Sequence, residues 1–246
     1  MNILILSAFK EEQNYYHKIY KINELKKINF VDVSVCRYEN INIYLATTGM
    51  GTINASLVLA TLASETQFDF VYFSGTSGGI HPDLRIGDVV IATETFDADI
   101  FSIHEAVKGT PFEEALINPN KKEKTPKFFT TAVSNLTCIN QSQKNFKVYT
   151  GRIATSNHFP SPHSLFEQIK LLSAMAIDME SASVYQFSWS TSVPSLVIRG
   201  ISNLLDQKGE DKNVTQSDVS SSDHAAMIVH ECIQKNLHQP NFKICS

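Results

Sequence analysis

"VIRGISNLLDQ", residues 197–207, opens as an apolar strand and ends in a cluster of polar side chains. In layered α/β sheets ligands bind outside the carboxyl ends of the strands. Arg199, Ser202, Asn203 and Asp206 therefore stand either where chemistry is done or where a following segment is capped. The same pattern recurs along the chain. Short apolar runs at 2–7, 42–47, 69–74, 88–93, 148–154 and 195–201 alternate with stretches of helical period at 52–65, 162–173, 180–190 and 221–236. That rhythm predicts a layered α/β sheet. A length of 246 residues, 43% of them hydrophobic, supplies one substantial core, and we expect a single domain over 1–246.

A net charge of −4 without a basic stripe lacks the electrostatic footprint of a nucleic-acid binder. The opening "MNILILSAFKEE" has no basic n-region, and no apolar stretch approaches a membrane span. A soluble, cytoplasmic protein with no membrane partner is expected. Cys36, Cys138, Cys232 and Cys245 are scattered, with no metal-binding or disulfide spacing, and the eight histidines form no HExxH pair. No metal and no cofactor are expected. His158 reads as a surface residue, and the segment 109–128, with three prolines and several lysines, reads as a surface loop or lid with solvated lysines.

Two glycine-rich turns, "TTGMGT" (47–52) and "SGTSGGI" (74–80), each follow a strand, so their backbone N–H groups can converge on a ligand. Neither has the spacing of a dinucleotide or Walker loop, and alone each is equally an ordinary turn. Carboxylates fall at the same edge. Glu12 lies just past the first strand, and "AIDMESASVY" places Asp178 and Glu180 where a short strand turns into a helix. A glutamate there is ordinarily a capping residue, favoured by the helix dipole. Three such features on one sheet edge point instead to a shared site.

Together, "LSAFKEE" (6–12), "TTGMGTINA" (47–55), "FSGTSGGIHPDLRIGDVVIA" (73–92), "AIDMESASVY" (176–185) and "VIRGISN" (197–203) resemble the purine nucleoside phosphorylase and nucleosidase superfamily. Within it the likeness is greatest to nucleosidases of 5′-methylthioadenosine and S-adenosylhomocysteine. The resemblance implies a three-layer αβα sandwich around a central mixed sheet, and cleavage of the N-glycosidic bond of a purine nucleoside, with roles for particular residues. Glu12 would activate water, which Arg199 and Thr76 help to hold. Glu180 would grip both ribose hydroxyls, and Met179 would pack on the sugar. Phe159 would stack on the purine while the backbone near Pro160 reads its edge. Ser77, Gly78, Asp178 and Ser202 would complete the pocket. A homodimer is implied, in which a neighbour's loop, here 99–113, closes the site. Phosphorylases of the superfamily hold phosphate with arginines, one of them where this chain has Phe73, so water is the expected nucleophile.

One position departs from the pattern. The nucleosidases close this strand with Ile-Ser-Asp, and the aspartic acid protonates the departing base. This chain has Ile201-Ser202-Asn203, and an amide donates a hydrogen bond but not a proton. Three explanations stand: an engineered change that lets a ligand survive, a preference for a 6-oxopurine as in futalosine hydrolase-like enzymes, or binding and storage with weakened catalysis. Asp206 is expected to cap the segment after the strand rather than to replace the acid.

Overall fold

The computed structural model describes residues 1–131, 145–158, 161–206, 209, 211 and 219–237. In chain order its strands and helices are β1 (Asn2–Ser7), α1 (Asn14–Ile19), β2 (Ile22–Ile28), β3 (Val31–Tyr38), β4 (Ile41–Thr47), α2 (Thr52–Glu65), β5 (Phe70–Gly79), β6 (Val89–Asp97) and α3 (Ile103–Ala106). Next come β7 (Ile117–Asn118), β8 (Glu123–Lys124), β9 (Phe129–Thr130), β10 (Val148–Thr155), α4 (His163–Leu171), β11 (Ala174–Asp178), α5 (Ser181–Thr191), β12 (Ser195–Leu204) and α6 (Val219–Leu237).

The main sheet runs in the order β11-β10-β6-β12-β5-β1-β4-β3-β2, with β9 alongside β6. It is mixed, as expected. Strands β1, β4, β5 and β12 are parallel, whereas β6 is antiparallel to β12 and parallel to β10, which is parallel to β11. The sheet also curls, so that β11 pairs back onto β5 through Ala176–Gly79 and Ile177–Gly78.

Period-two alternation sorts the core into layers. Ile3 and Ile5 of β1 join Ile198 and α6 residues Ala225, Ile228 and Val229 on one face. Leu4 and Leu6 join Val58, Leu59 and Leu62 of α2 and Val184 and Tyr185 of α5 on the other. Helix α2 buries Ala55, Val58, Leu59 and Leu62, an i, i+3, i+4, i+7 stripe. Three layers result: α1 and α6, the sheet, then α2 and α5.

Two expectations need correction. The run 69–74 was expected to end in a glycine turn at 74–80, but β5 continues through Gly79, because β12 and β11 give its glycine-rich half partners on both sides. The edge hairpin β2–β3 goes beyond the expected strands. Strand β2 (INELKKI) is exposed at nearly every position and so lacks the alternation that marks a strand, although β3 (VDVSVCRY) carries it. The turns flanking β3 begin at Asn29 (φ 52°) and Glu39 (φ 52°). Segment 109–128 folds into a short 3-10 turn and the β7–β8 ribbon. Its lysines are not simply solvated: Lys124 bonds Glu113 at 2.5 Å, Lys127 pairs with Glu105, and Lys121 reaches Ser192.

Cys36 and Cys232 are buried cysteines, and burial pushes the Cys36 thiol up to about 11. Cys138 and Cys245 lie outside the described residues. No described helix is long and apolar enough to cross a membrane.

Candidate active site

A cavity of about 210 Å³ opens where two oppositely directed sets of strands end. The carboxyl ends of β1, β5 and β12 contribute Ala8, Thr76 and Asn203. Those of β6, β10 and β11 are aligned by the pairs Asp97–Thr155 and Thr155–Asp178. Strand β11 brings Ile177 and Asp178, and the turns that follow bring Ser156, His158, Met179 and Glu180. The site therefore depends on the curl of the sheet, not on one straight edge.

Arg199 is its centre. The side chain is fully buried, its guanidinium carbon 4.5 Å from the centroid of the Phe73 ring. Its Nε donates to Asp178 Oδ2 at 2.8 Å and its Nη2 to Glu180 Oε2 at 2.9 Å. Burial works against the charge, but Asp178, Glu180 and Glu12 outweigh it and hold the guanidinium more firmly protonated than usual. Register explains the placement of its third nitrogen. Arg199 pairs with Gly75 on β5, and a Cβ at Gly75 would lie 2.7 Å from Glu12 Oε1 and 2.8 Å from Arg199 Nη1. Glu12 and Arg199 thus meet over a residue that has to be glycine.

Glu12 is fixed from both sides. The 3-10 turn Glu11–Gln13 is pinned by Gln13 Nε2 donating to Ala46 O, which turns the carboxylate back onto its own strand end. Oε2 accepts from the N–H groups of Ala8 (2.9 Å) and Phe9 (3.3 Å). Oε1 accepts from Thr76 N (2.8 Å) and Thr76 Oγ1 (3.1 Å).

Across the guanidinium, Glu180 holds the N-cap position of α5 without bonding that helix through its side chain, and spends its other oxygen on the start of α2, where Gly51 N donates to Oε1 at 2.9 Å. Burial pushes its carboxyl above the ordinary value; Arg199 opposes that rise, and Asp178 adds to it. Asp178 was expected among the substrate-binding residues. Although it borders the cavity, its oxygens are engaged internally by Thr155, Ser181, the Glu180 and Ser181 N–H groups and Arg199. It organises the site from behind.

At the far wall β12 bulges. Ile201 pairs with Ser77 and Asn203 with Gly78, so Ser202 is an extra residue, and the bulge re-aims the Asn203 amide at the cavity rim. Ser202 Oγ lies 3.0 Å from Asn203 Oδ1 and 3.4 Å from Ser77 O. The carbonyl of Asp206 accepts from Gly209 N at 3.1 Å in the turn that follows the strand.

Glu12, Thr76, Ser77, Gly78, Asp178, Met179, Glu180, Arg199, Ser202 and Asn203 all border this one cavity. Phe159 and Pro160 lie outside the described residues. His158, expected at the surface, is exposed there; it also borders the cavity and leans on Asp99, 3.3 Å from Nδ1 to Oδ1. Asp99 and Asn157 were not anticipated. They lie 58 residues apart, each in a loop with no motif to mark it, so only the fold reveals their contact.

Comparison with known proteins places this architecture. A 5′-methylthioadenosine/S-adenosylhomocysteine nucleosidase of Buchnera aphidicola is 25% identical over 246 residues, covering 96% of this chain and 99% of the relative. Two solved structures share the fold. One is an aspartate-to-asparagine mutant of the Helicobacter pylori nucleosidase with 5′-methylthioadenosine in its active site (TM-score 0.75, 20% identity, 95% and 98% coverage). The other is Helicobacter pylori futalosine hydrolase (TM-score 0.73, 21% identity, 96% and 98% coverage). The family model described as the phosphorylase superfamily matches residues 2–234, a range that spans the site just described, and the chain belongs to that superfamily.

Proposed function

We propose that this chain is a single-domain purine nucleosidase that hydrolyses the N-glycosidic bond of 5′-methylthioadenosine or S-adenosylhomocysteine. The observation that carries this reading is the pair of carboxylates, Glu12 and Glu180, set around one buried guanidinium in one cavity. Cleavage builds positive charge on the sugar, and two anions flanking it favour that charge in a site shielded from bulk water. Glu180 takes the ribose hydroxyls and Met179 packs on the sugar, with Phe159 and Pro160 at the base.

Water enters beside Glu12. Its weakest partners, Phe9 N at 3.3 Å and Thr76 Oγ1 at 3.1 Å, are the contacts that an incoming water shares or displaces, with Arg199 Nη1 alongside. The water oxygen bonds to C1′, the C1′–N9 bond breaks, and the water proton passes to Glu12. A general base so placed contributes roughly 10²–10⁴-fold. Phosphate fits poorly. Position 73 carries a buried phenylalanine beneath Arg199, whose guanidinium is already committed to Asp178 and Glu180, so a dianion would meet carboxylates.

Asn203 tempers the chemistry. It can donate to N7 of the leaving purine, but the base then departs as an anion or takes its proton from solvent. The same amide supports a second reading, a 6-oxopurine nucleosidase, because an amide can donate and accept toward N7 and O6. Incubating the protein and its Asn203→Asp variant with methylthioadenosine, inosine and futalosine, with and without phosphate, separates the readings. The first expects adenine release that the variant accelerates. Hypoxanthine release lost in the variant favours the second, and no base from either protein favours a nucleoside-binding role.

A second copy is the proposed partner. Met50, in the turn before α2, and Ile53 and Leu57 on α2 form an exposed apolar patch beside the cavity mouth, and Phe9, Ile100 and Ile103 are also exposed. A homodimer would cover that face.

A further inference from the structure

Beyond the residues around the cavity, a chain of contacts runs from an outlying loop to Glu180. Asp99, just after β6, accepts from Ser156 Oγ (2.6 Å), Asn157 N (2.8 Å), Asn157 Nδ2 (3.2 Å) and His158 Nδ1 (3.3 Å). Burial would raise the Asp99 carboxyl, yet these bonds hold it below its ordinary value. Asn157 faces the other way as well: its Oδ1 accepts from Thr52 N at 3.0 Å, and its Nδ2 donates to Thr52 Oγ1 at 2.9 Å.

Thr52 opens α2, and Gly51 before it has no side chain with which to cap the helix. A side chain from β10's loop therefore performs the capping. Gly51 sits at φ +96°, and a Cβ there would lie 3.0 Å from Asn157 Oδ1. The consequence falls on the next residue back: Gly51 N points at Glu180 Oε1, 2.9 Å away.

We infer that Asn157, anchored by Asp99, is a positioning residue for Glu180: it fixes the amino end of α2 so that the Gly51 N–H and the helix dipole bear on one carboxylate oxygen. This rests on the reading that Glu180 grips the ribose. Glu180 is faced by Arg199 from β12, Asp178 from the end of β11, Glu12 from the turn after β1, and the Gly51 N–H from α2. Among these, Arg199 and Gly51 favour the carboxylate. Loosening Gly51 leaves burial and two like charges against one guanidinium, so the carboxyl takes up a proton at higher pH and its oxygens lose their fixed aim.

The test measures kcat and KM for methylthioadenosine across pH in Asn157→Ala, in Asn157→Asp, in the exchanged pair Asn157→Asp with Asp99→Asn, and in Glu180→Gln, with melting temperature as the check on folding. The expected result for Asn157→Ala is a ~10–10²-fold loss in kcat/KM, carried mainly by KM, with the acid limb of the profile moved to higher pH. Asn157→Asp repels Asp99 and should also lose activity. The exchanged pair restores both the acceptor for Thr52 and the contact between residues 99 and 157, and should recover most of the loss. Should Asn157→Ala not fold, the Asp variant and the exchanged pair decide alone.

If kcat/KM and the acid limb stay at parent values in Asn157→Ala and Asn157→Asp while Glu180→Gln collapses, the inference is overturned and the function stands. If Glu180→Gln itself retains full activity, the ribose-gripping role fails, and this inference with it.

Discussion

On the proposed function, Asn203 and Glu180 decide how well the site works. An aspartic acid at 203 would be held by the same bulge, with Ser202 beside it, and would bring the proton that the amide lacks. Asn203→Asp is expected to raise kcat on methylthioadenosine by at least ~10²-fold, read as adenine release, and an unchanged rate would show that base protonation does not limit the reaction. Glu180 sets the acid limb. Its carboxyl is raised by burial, so as pH falls it takes up a proton before an exposed carboxylate does, and ribose binding weakens from that point downward. The kcat/KM profile should bend on the acid side at a pH above the ordinary glutamate range, and a flat profile down to that range would contradict the assignment. Gly75→Ala is a sharper probe. Its methyl would sit against Glu12 Oε1 and Arg199 Nη1, so activity should fall by more than ~10²-fold. At this scale position was legible: Glu12, Glu180 and Arg199 stood out at strand ends, as did Asp178, whereas the partners that engage the Asp178 oxygens inside the fold did not. Charge type is visible in a sequence; what already satisfies that charge is not.

At the level of elements, β12 does the most. Its Leu196, Ile198 and Gly200 face α6, Arg199 faces the opposite layer, and the bulge at Ser202 ends regular pairing where the site begins. A Cβ at Gly200 would lie 1.8 Å from the carbonyl oxygen of Ser221, so α6 could not keep its seat. Gly200→Ala is expected to destabilise the fold by roughly 3 kcal/mol or more, measurable by denaturant unfolding; a loss under about 1 kcal/mol would mean that α6 shifts freely. The apolar runs that became β1 and β12 were legible because each is buried on both faces over most of its length and therefore nearly continuously hydrophobic. Strand β2 was not legible, since an exposed edge strand keeps no apolar face. The glycine half of β5 read as a turn for a related reason. Local propensity favours a turn at Gly75, Gly78 and Gly79, and only neighbours distant in sequence supply the ladder that keeps them extended.

Across the whole molecule, function follows from curvature. Were the sheet flat, β11 would stay far from β5, and Asp178 and Glu180 would never reach Arg199. The pairing of Ile177 with Gly78 closes that distance. The outer face of α2 extends the account to assembly. Ile53 is 79% exposed, and Ile53→Glu should shift the protein from dimer to monomer in sedimentation, with weaker activity because the cavity mouth loses its cover. A monomer in both forms would remove the proposed partner. The layered α/β build was readable from the alternation of apolar runs and helical periods, and the mixed sheet from the family resemblance. The curl was not, because it arises from pairings between residues nearly a hundred positions apart.

The most direct test of the central claim is the fate of labelled water. The Asn203→Asp variant and the parent protein are incubated with methylthioadenosine in oxygen-labelled water, with phosphate present, and the sugar product is weighed. Heavy oxygen should appear on the C1′ hydroxyl of the released sugar, adenine should accompany it, and Glu12→Gln should abolish both. A sugar 1-phosphate, or turnover that survives loss of the Glu12 carboxylate, would contradict the account.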